Sequence, residues 1–105
     1  MANKPLWALS ASELVSKTRA GNLSASEITF ATLEQIKRVN PGLNAIVDNM
    51  ASEAMRRAEY LDLSAKSGVP KGNLFGIPVT VKINVDQKGY ATSNGVTALK
   101  NLIAQ

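Results

Sequence analysis

Gly76-Ile77-Pro78-Val79-Thr80-Val81-Lys82-Ile83-Asn84-Val85-Asp86 is the stretch on which the fold reading turns. Ile77, Val79, Val81 and Ile83 alternate with Pro78, Thr80 and Lys82, the period-two pattern of a β-strand over about residues 77–83. A glycine-bearing loop follows, Lys88-Gly89-Tyr90-Ala91-Thr92-Ser93-Asn94-Gly95. A lysine at the end of an apolar strand, beside such a loop, can be stripped of water and tuned to act as a base. It can equally be an edge-strand charge that blocks unwanted pairing. Spacing alone leaves both readings of Lys82 open.

Upstream, Gly68-Val69-Pro70-Lys71-Gly72-Asn73 reads as a loop. Before it, Ala51, Ala54, Met55, Ala58, Leu61 and Ala65 make a helical stripe over about 50–67, with Glu53, Glu59 and Asp62 on its wet face. Asn44-Ala45-Ile46-Val47-Asp48 is a second, short strand candidate. Strand, helix, strand predicts a βαβ unit with parallel strands and a right-handed crossover.

Two helices precede it. Ser10-Ala11-Ser12-Glu13 and Ser24-Ala25-Ser26-Glu27 both carry the Ser-x-x-Glu spacing of a capping box. The first predicts a helix over about 11–20, stopped by Gly21. The second predicts one over about 25–39, ending at Asn40-Pro41 because proline cannot extend it. Thr97 to Ala104 has the character of a further helix start. The expectation is an α/β fold: one unit spanning 1–105, N-terminal helices followed by the βαβ unit.

Composition excludes several chemistries. The 105 residues contain no cysteine and no histidine. Disulfides, thiolate nucleophiles, a Ser-His-Asp triad and the common zinc sites are therefore excluded within the chain. No metal site and no cofactor is expected. Serine–lysine hydrolysis survives both absences. Net charge is +4, from 12 basic and 8 acidic residues. The basic doublets Lys37-Arg38 and Arg56-Arg57 stand among acidic residues, and Trp7, Phe30, Tyr60, Phe75 and Tyr90 form no stacking series, so nucleic acid is not the expected partner. No apolar run reaches the ~20 residues of a membrane span. The start Met1-Ala2-Asn3-Lys4-Pro5-Leu6-Trp7 lacks the apolar core of a signal peptide, which makes the cytoplasm the expected location.

The segment Gly76–Asn84, followed by Gly89, Thr92-Ser93 and Gly95, resembles the first block of the amidase signature family. Ser12-Glu13-Leu14, Ser24-Ala25-Ser26-Glu27-Ile28, Val39-Asn40-Pro41 and Leu43-Asn44-Ala45-Ile46-Val47 agree with it in order and rough spacing, from about Leu9 onward. The resemblance implies a fragment of that family's mixed-sheet fold and a carbon–nitrogen hydrolase that uses a serine nucleophile, a second serine held by a cis peptide bond, and a lysine. Lys82 occupies the lysine's place. Thr92, Ser93 and Asn94 would line the substrate pocket, or else serve only as turn residues.

Two departures stand out. Ile83 stands where the family commonly has aspartate, and no Gly-Gly-Ser-Ser-Gly-like run occurs anywhere in the 105 residues. The sequence reads as the amino-terminal piece of an amidase, with the catalytic lysine but neither serine. Alone it is expected to be inactive on the small-molecule amides of the full-length enzyme, and to self-associate through uncovered apolar surface. The alternative is a non-catalytic α/β module that binds a partner.

Overall fold

The computed structural model describes residues 4–105, so the leader reading at Met1–Asn3 lies outside the described residues. Three helices dominate: α1 (Ala11–Arg19), α2 (Ala25–Leu43) and α3 (Ala51–Lys66). Short 3-10 turns stand at Leu6–Ala8 and Thr97–Leu99.

Both serine boxes close. The Ser10 hydroxyl accepts from the Glu13 amide at 3.1 Å, while Glu13 Oε2 accepts from the Ser10 amide at 2.7 Å. Ser24 and Glu27 repeat the exchange at 3.0 and 2.8 Å. Each box satisfies two amides that a helix start otherwise leaves open. At the far end of α1, Asn22 donates to the Lys17 carbonyl and Gly21 to that of Thr18, with Gly21 at φ +78°. That pair of bonds needs a left-handed residue, which glycine supplies without steric cost.

The α/β expectation is overturned. Among the described residues there is no strand and no sheet, only isolated bridges pairing Lys88 with Ala104 and Ala91 with Ile103. The first expected strand, 44–48, fails because Asn40 takes its backbone groups. Asn40 Oδ1 accepts from the amides of Ala45 and Ile46, and Asn40 Nδ2 donates to the Ile46 carbonyl. Asn44, at φ +49°, caps α2 in the left-handed conformation. With the amides of Asn44, Ala45 and Ile46 all held by Asn40, the segment cannot offer them to a ladder. The second, 77–83, has no regular structure through Lys82 and turns at Ile83-Asn84, and no neighbouring strand lies against it. Without that neighbour there is no βαβ unit.

The helix α2 runs to Leu43, with Pro41 inside its last turn. It packs along α3 and receives the Leu6–Ala8 turn on another side. The core is small. Among the described residues, Leu14 and Thr18 come from α1, Ala25, Ile28 and Thr29 from α2, and Ala58 from α3. Of the two buried threonines, Thr18 keeps a partner for Oγ1 by donating to the Val15 carbonyl at 2.8 Å.

Candidate functional site

The segment carrying Lys82 is launched from the start of α2. Gly76 lies against Ala25, so that a Cβ on Gly76 would stand 3.0 Å from Ala25 Cβ and 3.1 Å from Ala25 Cα. Its φ is +73°. Only glycine combines that backbone angle with such a close approach. The same helix start is clamped from α3. Asp62 Oδ1 accepts from the Ala25 amide at 2.7 Å, and Oδ2 accepts from the Ser26 amide at 3.0 Å and the Ser26 hydroxyl at 2.6 Å. Just upstream of Gly76, Lys71 Nζ donates to the Thr18 carbonyl and lies over the Phe75 ring, and Arg19 donates to Asn73 at 3.1 Å. The approach to the Lys82 segment is thus tied to α1 and α2, and through Asp62 the start of α2 is held by α3.

From Ile77 the chain runs without regular structure to Lys82, whose carbonyl accepts from the Val85 amide at 3.0 Å to close a turn. Lys82 is exposed, while Ile83 is half-buried. Asp86 Oδ1 accepts from Thr92 Oγ1 at 2.6 Å and joins the two sides of the following loop. Further bonds run from the Thr92 amide to the Leu102 carbonyl and from the Ala104 amide to the Tyr90 carbonyl, both at 3.0 Å. Ser93 and Asn94 form a turn that ends where the Val96 amide donates to the Ser93 carbonyl at 2.8 Å, with Asn94 at φ +49°. The pKa of the Tyr90 phenol is raised, first by the neighbouring Glu53 carboxylate on α3, then by burial and by the negative charge of Asp48.

The structure therefore gathers Thr92, Ser93 and Asn94 into one loop fastened to Asp86, while Lys82 stands on the preceding segment without a hydrogen bond to any of them among the described residues. The Thr92 hydroxyl proton is committed to Asp86. Grooves of about 400 Å³ lie elsewhere, one between α2 and α3 beside Phe30, Leu33 and Met55, the other beside Trp7 and Arg38. Among the described residues no group of acidic side chains has a metal-holding arrangement.

Two residues escaped the sequence reading. Asp62, assigned to the wet face of its helix, instead caps a second helix. Its pKa feels burial first, upward, and is then carried below the ordinary aspartate range by the hydrogen bonds from Ser26 and Ala25 and by the charge of Lys66. Nothing in its local pattern marks a cap supplied from elsewhere in the chain. Asp86 carried a weak signal, since an aspartate six residues before a threonine can close a loop.

Comparison with known proteins adds a second line of observation. The family model described as "Amidase" matches residues 27–105. The chain is 40% identical over 100 residues to an indoleacetamide hydrolase of Bradyrhizobium diazoefficiens, covering 95% of this chain and 19% of that protein. It is 33% identical over 104 residues to an acylamidase of Rhodococcus erythropolis, covering 99% and 22%. With a glutamyl-tRNA(Gln) amidotransferase polypeptide of Acaryochloris marina it shares 38% over 91 residues, covering 87% and 18%. The crystal structure of a bacterial aryl acylamidase of the amidase signature family superposes with a TM-score of 0.84 at 30% identity, over 91% of this chain and 20% of that one. The chain spans about a fifth of the length of the curated relatives it matches.

Proposed function

The chain belongs to the amidase family, and from that premise we propose that it serves amide hydrolysis by serine acyl transfer, contributing Lys82 as the group that moves a proton. The observation that supports this most is the family match over residues 27–105, which includes the whole Gly76–Asn84 stretch. Similarity to proteins named indoleacetamide hydrolase and acylamidase supports small-molecule amides as the substrate class.

The chemistry needs more than these residues. A nucleophilic serine must lose its proton to attack an amide carbon, and a second serine passes that proton toward the lysine. An ordinary lysine titrates near 10.4 and is protonated at neutral pH. Desolvation is what turns such an amine into a base. Lys82 is exposed here, so under this reading its cover comes from further polypeptide, along with both serines. Thr92, Ser93 and Asn94 belong to the proposal as pocket residues, held in place by the Asp86 bond and the turn at Ser93.

The test is a chimera that joins residues 1–105 to the remaining sequence of the Rhodococcus acylamidase. The 105-residue chain alone is expected to release no amine from aryl or aliphatic amides. The chimera is expected to turn over, and Lys82→Ala is expected to lower kcat by about 10²–10⁴. Lys82→Arg should fail as well, because a guanidinium keeps its proton. An arginine variant within a few-fold of the parent chimera overturns the role of Lys82.

A further inference from the structure

Asp86 stands between two turns. Before it, the Val85 amide donates to the Lys82 carbonyl at 3.0 Å, and after it the Tyr90 amide donates to the Gln87 carbonyl at 2.9 Å. Its own carboxylate reaches past the second turn and accepts from the Thr92 hydroxyl at 2.6 Å, the short separation of a hydroxyl bonded to a charged oxygen. Among the described residues this is the one hydrogen bond that joins residues 82–86 to residues 91–96. We propose that Asp86 is a positioning residue for Lys82, acting through Thr92.

Thr92 is a fixed point for such a bond. Its amide donates to the Leu102 carbonyl at 3.0 Å, the Ala104 amide to the Tyr90 carbonyl at 3.0 Å, and the Gly89 amide to the Ala104 carbonyl at 2.9 Å. The backbone of residues 89–92 is thereby held against residues 102–104, and the Thr92 side chain carries that hold across to the turn of Lys82. The hydroxyl has one proton to give, and Asp86 takes it. While the bond stands, Thr92 has no proton for a substrate, so its part in the pocket is alignment.

The inference rests on the amide-hydrolysis reading above, in which Lys82 moves a proton and the Thr92 loop borders the pocket. A base works only within hydrogen-bond reach of the proton it takes. Lysine carries its amine on a flexible four-carbon stem, so the backbone beneath it has to be set before the amine can be aimed. A misplacement of about 1 Å costs on the order of a hundredfold in rate. The bond from Asp86 fixes the lysine's turn against the loop that would meet the same substrate.

The test is a double-mutant cycle in the chimera with the Rhodococcus acylamidase. Asp86→Ala and Thr92→Val are each expected to lower kcat about ten- to a hundredfold with KM within a few-fold. The double variant should lose no more than the weaker single one, because both remove the same bond. Thr92→Ser keeps the hydroxyl and should recover most of what Thr92→Val loses. Losses that multiply in the double variant, or a Thr92→Val effect confined to KM, overturn the positioning role. Lys82→Ala separates this inference from the reading beneath it: an active Lys82→Ala overturns both, whereas an inactive one beside silent Asp86 and Thr92 variants overturns the positioning role alone. A second measurement needs no turnover. In the 105-residue chain, Thr92→Val should shift the NMR signal of the Val85 amide and Thr92→Ser should leave it in place. A Val85 signal unmoved by Thr92→Val overturns the coupling.

Discussion

Asp62 lies within α3, yet its carboxylate belongs to the start of α2. It receives the Ala25 amide, the Ser26 amide and the Ser26 hydroxyl at 2.6–3.0 Å. A negative charge there also meets the positive end of the helix dipole. These interactions favour the ionised form and outweigh the opposing effect of partial burial, so the folded-state pKa is lowered. The stabilisation is therefore full above the ordinary aspartate pKa of about 4 and is lost as pH falls through the lowered folded value. Asp62→Ala is expected to cost about 1–2 kcal/mol at neutral pH. Urea midpoints should show that difference shrinking in acid, and a gap of constant size from neutral pH to strong acid would contradict it. Gly76 is the second decisive residue. Gly76→Ala must place a Cβ 3.0 Å from fully buried Ala25 while keeping φ at +73°. Its contacts are with a backbone atom and a short side chain, neither of which can swing aside. The expected loss is about 1–3 kcal/mol, read as a lowered thermal midpoint.

At the scale of elements, the helix starts are written locally. Ser10 and Ser24 each act on residues three positions away, and the capping boxes can be read from the sequence for that reason. Ser10→Ala and Ser24→Ala should each cost about 0.5–2 kcal/mol. Unchanged denaturation midpoints in both variants would show that the boxes add nothing. The strands were illegible because a strand is not a local object. The alternation of Ile77, Val79, Val81 and Ile83 describes an extended chain with two kinds of face, yet no strand forms there. The pattern carries no record of whether a neighbour is present. The segment 44–48 went astray for another reason. Its hydrogen-bonding capacity was taken by the Asn40 side chain, a competitor the apolar pattern of Ala45, Ile46 and Val47 does not reveal. Of the candidate site, the turn that follows Lys82 at Ile83-Asn84 was not legible. Nor was the Asp86–Thr92 bond that shapes the loop, since it depends on how the chain returns after Gly89.

At the scale of the whole molecule, the chain divides into a packed helical part and an open part. Among the described residues every buried apolar side chain lies between Leu14 and Ala58, while Val69, Leu74, Val79, Val81, Val85, Leu102 and Ile103 are exposed. The radius of gyration is 15.7 Å, against about 13 Å for a compact domain of this length. Hydrogen exchange should report that division. In dilute solution the amides of α2 and α3 are expected to be protected and those from Val79 to Lys82 to exchange at nearly unfolded rates, since no backbone bond shields them. Protection of the Val79 to Lys82 amides equal to that of α2 and α3 would overturn the division.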